Sequence, residues 1–537
     1  PVMIELRIRA CHVHGTFTAS DNRPPAFKVT DALDNPVRDP SKIILPPYTY
    51  THEQEKIEKR WPAATKFIRE EGLNEFIPGR HENVGIVVLG GLYNTVNRAQ
   101  ELLGCSDVFG NTTIPTYVLN VAYPLVDEEF VEFCRGKEAI LIVEEGQPEF
   151  IEQAVHGILR KRDIQTRVEG KGMLPMAGEY TGVVMRDGIR AFLEKYAPAA
   201  LEGDAESPAF EVGKASASLA EHVPLRPPGM CTGCPERPFF TAMKLLEKEV
   251  GHTLQVSADI GCHTFATLPP FNLGNTVTGY GLGPSSASAL NVRHKQRAIS
   301  LVGDGGFWHN GLATSVGNAV ENQHDGIIVV VDNGYSAATG GQWIPSSKAD
   351  AKNRQYRIPI VDAVKGVGVR WVRKVRTYNI GQSLKALRDA MRTPHEGPKV
   401  IVAEGECQLN RQRRIKPRIR ERLKAGGRYV RERFGVDPET CTGDHSCIRL
   451  SGCPSLTVAD NPDPLRSDHP VAKVLDSCVG CGVCGEVSHA AVLCPSFYRA
   501  EIVHNPTRLD LFLSRVRRRV IDRLQARIDQ RLSEVTF

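Results

Sequence analysis

Two cysteine-rich stretches near the C-terminal end carry the plainest chemistry in the chain. CTGDHSCIRLSGCP opens at Cys441, CVGCGVCGEVSHAAVLCP opens at Cys478, and both close on Cys-Pro. The second is spaced C-x2-C-x2-C-x9-C-P. Three thiolates at that spacing wrap one iron–sulfur cube, and the cysteine before proline reaches across to another. One cluster would then take Cys478, Cys481, Cys484 and Cys453. The other would take Cys441, Cys447, Cys494 and either Asp444, which stands where a cysteine is expected, or nothing; His445 is a third candidate. That second site is a 4Fe–4S cluster with a carboxylate ligand or a 3Fe–4S cluster with an open corner. Zinc needs four ligands at each tetrahedral site, and seven cysteines with two Cys-Pro endings suit interleaved clusters better.

A second cysteine system is CTGCP at 231–235. Alone, Cys231 and Cys234 could serve zinc, a redox pair or a cluster fragment. Cys262 in ADIGC and Cys407 in EGEC flank the block between them in sequence, so both could fold back beside it and complete a third cluster. Cys11, Cys105 and Cys134 stand alone and read as small buried hydrophobes.

Between those cysteines lies RAISLVGDGGFWHNGLATSVGNAVENQHDGIIVVVDNGYSA. An apolar strand over 298–302 runs into Gly303-Asp304-Gly305, a helix is expected over about 310–322, and a second strand over 327–331 ends in Asp-Asn-Gly. In such a βαβ unit Asp304 and Asn333, 29 residues apart, come to the carboxyl ends of neighbouring parallel strands, the edge where these sheets bind ligands. A carboxylate and an amide oxygen suit Mg²⁺, which completes its octahedron with phosphate oxygens. The glycines let backbone approach those phosphates. The pattern resembles the thiamine diphosphate signature, which implies that Asp304 and Asn333 ligate Mg²⁺ and that the Tyr335 carbonyl supplies a third oxygen.

The elements that position these groups are legible as alternating strands and helices. NVGIVVLGG, PTYVLNV and EAILIVEE, with helical segments between them, describe a parallel α/β layer to about Tyr196. A Pro/Ala/Gly/Glu-rich passage separates it from a second α/β block over roughly 224–407. From Arg411 to Arg433 there are eleven Lys/Arg against Glu421 and Glu432, read as a solvated linker or as a docking surface for an acidic redox partner. A final helix carries Leu509, Phe512, Leu513, Val516, Val520, Leu524, Ile528 and Leu532 on one face, for packing on a neighbouring chain or domain. Fourteen cysteines without an export signal argue for metal rather than disulfides and for a cytoplasmic setting. No apolar run is long enough for a membrane span, and a net charge of +5 does not call for nucleic acid. The chain opens at Pro1 inside a strand-like run, so a piece of a longer or processed polypeptide is expected.

Together the motifs resemble the 2-oxoacid:ferredoxin oxidoreductases, the indolepyruvate ferredoxin oxidoreductase family in particular. CTGCPERPFF, ADIGC, GDGGFWHNG, VVDNGYSAATGGQ, LIVEEGQPEF and the two-cluster module carry the likeness over about 83–503. The resemblance implies an α/β fold of thiamine-diphosphate-binding doubly wound parallel sheets plus a C-terminal ferredoxin-like α+β two-cluster module. Its divisions would be 1–82 (remnant of a pyrimidine-type domain and linker), 83–200 (transketolase C-terminal-like), 224–410 (thiamine diphosphate domain with proximal cluster), 432–505 (ferredoxin-like) and 506–537 (helix). The proximal 4Fe–4S cluster maps onto Cys231, Cys234, Cys262 and Cys407. The implied reaction is oxidative decarboxylation of arylpyruvates (indolepyruvate, phenylpyruvate) with coenzyme A, giving an aryl-acetyl-CoA and CO₂ and reducing two ferredoxins. His309, just past the GDG turn, is the candidate acid/base. Partners implied are ferredoxin or a similar carrier, a smaller oxidoreductase subunit or fused domain, and a hetero- and homo-oligomeric assembly. The family's activating glutamate finds no counterpart, and only 2–9 resembles a last strand of its pyrimidine domain. An electron-transfer subunit with a vestigial thiamine site is the alternative.

Overall fold

The computed structural model describes residues 38–201, 228–291, 296–348 and 356–535, with short stretches before 38. The chain divides into two compact units, Pro1–Leu225 and Arg226–Phe537.

In the first unit, strands Glu75–Ile77 (β1), Val84–Leu89 (β2), Thr116–Leu119 (β3), Ala139–Val143 (β4) and Arg167–Glu169 (β5) form one sheet in the order β1-β3-β2-β4-β5. Every pair is parallel except β1 with β3. β4 reads AILIV and is buried at each position, as a parallel strand covered on both faces must be. Val96, Ile189 and Phe192 cover one face from helices Tyr93–Leu102 and Gly182–Tyr196. Phe130, Val155 and Ile158 cover the other. Cys105 and Cys134 lie fully buried in these two layers, as expected of small hydrophobes. Of the strand read over 2–9, residues 3–6 are exposed and belong to no strand. The rest of it, and Cys11, lie outside the described residues.

The second unit is built on a wholly parallel sheet. Its strands are Val256–Ala258 (β6), Thr276–Val277 (β7), Ile299–Gly303 (β8), Ile327–Asp332 (β9), Trp371–Arg376 (β10) and Lys399–Glu404 (β11), in the order β10-β11-β9-β8-β6-β7. β7 lies on one side of β6 and β8 on the other. Connections therefore diverge at β6 and leave a crevice at the carboxyl ends of β6 and β8. One face is packed by Phe239, Phe240, Leu246 and Leu387 from helices Glu236–Val250 and Ile380–Arg392. The other is packed by Phe307, Val316, Ile360 and Val364. The helix expected from about 310 starts at Asp304, runs with π spacing over Phe307–Gly317 and ends as α-helix over Asn318–Glu321.

The cysteine-rich end holds two antiparallel pairs, Tyr429–Val436 (β12) with Phe497–His504 (β15) and Leu456–Ala459 (β13) with Val471–Val474 (β14). Short helices Ser446–Ser451 and Val483–Val492 complete it. The basic segment read as a linker begins instead as a helix, Gln408–Lys424, with Pro417 inside it and only Gln408 buried. Its many Arg and Lys residues are good helix formers, which a reading by charge alone overlooks. Helix Arg508–Val535 leaves Leu513, Val516, Val520, Leu524 and Ile528 exposed, so no described residue covers the apolar face. Among the described residues, no helix is long and apolar enough to cross a membrane.

Phe240, fully buried, meets Phe271 edge-on with centroids 5.5 Å apart. Phe240→Ala should cost about 3–5 kcal/mol, measured as a lower urea midpoint for the unfolding that includes this sheet. A midpoint within error of the wild type would remove this contact from the core.

Candidate functional site

Gly303 closes β8 opposite Val331 of the parallel β9. The next residues of both strands therefore emerge side by side. Asp304, buried, uses that proximity: Oδ1 accepts the Gly305 N–H at 2.8 Å, and Oδ2 accepts the N–H groups of Asn333 at 2.9 Å and Gly334 at 2.6 Å. A carboxylate offers about four acceptor positions, so one direction stays free. The Asn333 amide oxygen accepts the Tyr335 N–H at 3.2 Å, and the Tyr335 ring packs on Trp343. Burial, then the neighbouring Asp332, pushes Asp304 well above the usual carboxylate range. Burial lifts Asp332 to about 6 against the pull of Arg357. A divalent cation would replace the proton these crowded carboxyls otherwise favour.

Three buried groups that sequence reasoning missed stand behind this edge. Asp259, one residue past β6, accepts the Gly281 N–H at 2.8 Å and the Gly303 N–H at 3.4 Å. His263 pairs with it through Nε2, in the 3₁₀ turn that holds Cys262. Burial works to lower the His263 pKa, but the Asp259 hydrogen bond and charge, with Glu236, raise it overall. Glu236, fully buried, is raised by burial and lies within reach of Asn333. Its Oε2 has no partner, an open oxygen beside the proposed cation edge. ADIGC was read for its cysteine, and CTGCPERPFF for its CxxC. Asp259 and Glu236 sat inside both quotations unremarked, because only the tertiary fold brings them to one place. Gly281, at φ +82°, is required here, since a Cβ would stand 2.5 Å from the Gly306 carbonyl oxygen.

A cavity of 490 Å³ opens at the ends of β9, β10 and β11, lined by Asn333, Gly334, Tyr335, Lys348, Arg357 and Arg376 among others. That size lies in the range of about 300–1,000 Å³ typical of small-molecule sites; its basic Lys348, Arg357 and Arg376 are matched by Asp332, Glu404 and Glu406, and Arg357 pairs with Asp332 and with Glu404 at 3.5 Å. The strand-end oxygens of Asp304 and Asn333 and the unpartnered Glu236 oxygen form a donor set that would suit a magnesium diphosphate at this edge.

Cys262 follows β6 and Cys407 follows β11, so both lie at the carboxyl edge that bears Asp304. The Cys407 N–H donates to the Asn333 carbonyl at 3.0 Å. Burial pushes the Cys262 thiol up to about 12, with Glu236, Cys407 and Cys231 adding to the rise. Cys234 is raised by burial and lies in the field of Cys262. Cys484 is raised by burial and by Cys453, Cys481 and Cys478. Burial lifts Cys447 to about 11, and Cys441 and Cys494 are its thiol neighbours. Among the described residues no three His, Cys, Asp or Glu side chains close on a point as around one metal ion. A cube places each thiolate on a different iron, so its ligands stand farther apart than those of a single ion.

Asp444 is exposed, and its carboxylate accepts the Ser446 N–H at 3.2 Å and the Ser446 hydroxyl at 2.7 Å. These bonds to the residue two positions on close an Asx turn just before helix Ser446–Ser451, whose N-cap, His445, takes the left-handed conformation at φ 55°. His309 is exposed and lies 5.2 Å, centroid to centroid, from Tyr280.

Residues 259–403, which hold most of the parallel sheet and its Asp304 edge, match the family described as thiamine pyrophosphate enzyme, C-terminal TPP binding domain. Over its length the chain is similar to indolepyruvate oxidoreductase subunits. It is 26% identical over 505 residues to subunit IorA of Methanothermobacter marburgensis, covering 92% of this chain and 72% of that one. It is 29% identical over 451 residues to subunit IorA of Thermococcus kodakarensis, covering 81% of this chain and 63% of the relative. A solved 2-oxoglutarate:ferredoxin oxidoreductase from Magnetococcus marinus aligns over 34% of this chain and 66% of its own, at 18% identity and a TM-score of 0.31.

Asp259→Ala would strand the Gly281 and Gly303 N–H groups and leave His263 without its counter-charge. Stability should fall by about 1–3 kcal/mol, read from chemical denaturation. Unchanged stability would show that this trio does not brace the edge.

Proposed function

We propose that this chain is the thiamine- and iron–sulfur-bearing component of a 2-oxoacid oxidoreductase that decarboxylates arylpyruvates, transfers the acyl group to coenzyme A and passes two electrons singly to ferredoxin. The balance is one 2-oxoacid and one CoA thiol giving one thioester, CO₂, one proton and two electrons. Bound thiamine diphosphate would supply the electron sink for loss of CO₂. Asp304, Asn333 and the Tyr335 carbonyl would hold its Mg²⁺, with Gly303 and Gly305 giving the phosphates access to backbone. His309 is the candidate to exchange protons at the open side of the site. Cys231, Cys234, Cys262 and Cys407 would hold the proximal cluster. Cys453, Cys478, Cys481 and Cys484 would hold the next. Cys441, Cys447 and Cys494 would hold the third, with Asp444 or an open corner. The activating glutamate is proposed to come from another chain or segment, and the basic run through helix Gln408–Lys424 is the candidate face for an acidic carrier.

The observation that supports this reading most is the hydrogen bond from the Cys407 N–H to the Asn333 carbonyl. It ties a thiolate loop to the cation edge, where electrons would leave the cofactor. The resemblance to indolepyruvate oxidoreductase subunits supports the substrate class.

Anaerobically purified protein should carry about four irons, with matching acid-labile sulfide, for each complete thiolate set, and should bind thiamine diphosphate with Mg²⁺. Asp304→Ala should abolish that binding in calorimetry and leave the iron content in place. Iron without thiamine binding would favour an electron-transfer subunit, and thiamine binding without iron a simple decarboxylase.

Asp444→Cys is expected to change the EPR spectrum of one cluster toward a full 4Fe–4S signal and to raise the iron count where the corner is open. An identical spectrum and iron content would remove position 444 from the ligand set.

A further inference from the structure

Arg237 is the largest fully buried side chain among the described residues, at 0% exposure. It lies three residues past Cys234, in the first turn of helix Glu236–Val250. Its Nη1 donates to the Ser451 carbonyl at 2.9 Å, while Nε and Nη2 have no hydrogen-bond partner. Ser451 ends helix Ser446–Ser451 and stands two residues before Cys453. One guanidinium thus joins the loop of one thiolate set to the loop of another. A buried charge without a counter-ion costs several kcal/mol, so a fold that keeps one places it against negative charge from some other source.

The packing around Arg237 defines where that charge would be. Gly233, between Cys231 and Cys234, touches Val479, between Cys478 and Cys481: a Cβ at 233 would meet Val479 Cγ2 at 2.5 Å, and φ there is +74°. Tyr378 donates its hydroxyl to the Gly233 carbonyl at 2.5 Å and accepts from Gln408, the residue after Cys407, at 3.1 Å. Thr232 bonds Ser455 at 2.9 Å across the same seam. The two cysteine loops are therefore in van der Waals contact. Arg237 lies within electrostatic range of both the Cys234 and the Cys481 sulfur. Arg433, by contrast, reaches the Cys478 carbonyl from a partly exposed position and is paired with Asp476 at 3.5 Å.

We propose that Arg237 is an electron-transfer positioning residue, whose permanent charge at the seam between the Cys231/Cys234/Cys262/Cys407 and Cys453/Cys478/Cys481/Cys484 sets stabilises the negative charge that each gains on reduction. The step it serves is the passage of one electron from the first set's cluster, which is oxidised, to the second set's cluster, which is reduced. Net charge and hydrogen bonding around the sulfurs are what set such potentials. The inference rests on the cluster assignments proposed above.

The test is an EPR-monitored redox titration of the anaerobically purified full chain, wild type against Arg237→Gln and Arg237→Lys. In Arg237→Gln at least one cluster should become about tenfold harder to reduce, a downward shift of about 59 mV for a one-electron couple. Arg237→Lys, which keeps the charge, should stay closer to the wild-type curve. Iron lost from Arg237→Gln and retained in Arg237→Lys would also support the charge as the operative property. Wild-type potentials in Arg237→Gln, or equal shifts or equal iron loss in both variants, would overturn it and leave Arg237 a packing residue. A wild-type chain without iron would instead sink the functional reading on which this rests.

Discussion

Everything proposed for the second unit depends on one constraint, that parallel strands deliver their carboxyl ends to a single edge. Five strands of the sheet end near chemistry there: Asp259 after β6, Asp304 after β8, Asn333 after β9, Tyr378 after β10 and Cys407 after β11. Asp304 converts this geometric accident of direction into a fixed site. Its carboxylate takes backbone N–H groups from its own turn and from the neighbouring strand end. Satisfying those donors locks the two turns together and still leaves an acceptor direction open.

A second layer of the same logic runs from that edge into the cysteine-rich end. Helix Glu236–Val250 is a core element of the sheet, buried through Phe239, Phe240 and Met243, and its first turn also holds Glu236 and Arg237. Thr241 donates to the Leu450 carbonyl at 2.7 Å from the next turn. One rigid helix thereby registers the CTGCP loop against both the cation edge and the helix that leads to Cys453. Electron transfer between fixed centres needs such registration, because its rate depends on separation. A helix packed on a sheet offers less play than a loop would.

Much of this was legible before any coordinates. Unalternating apolar runs such as IIVVV mark buried parallel strands, and the turn chemistry after them marks the ligand edge. Cysteine spacing groups the thiols of the C-terminal module, and Cys447 and Cys484 have thiol neighbours from those groups in the fold, whereas no interval joins Cys262 to Cys407. Other features were opaque for identifiable reasons. The basic segment was read by its charge, although its residues favour helix whatever their charge. Asp444 stands out by its place in a motif, and its bonds to Ser446, which make an Asx turn, leave no mark in the cysteine spacing. Arg237 and Glu236 carry no sequence signal, since burial of a charged side chain is visible only once its surroundings are known.

The amino-acid sequence by itself determined the strand and helix periodicities, the cysteine spacings and the pairing of an aspartate with an asparagine at successive strand ends. These are local or spacing-encoded properties, written in residue type and interval. Tertiary structure alone decided that Cys262 and Cys407, 145 residues apart, share one edge, that two cysteine loops touch at Gly233 and Val479, and that a guanidinium is sealed between them. Such contacts are set by strand order and helix packing, which join segments distant in the chain and leave no interval in it to read.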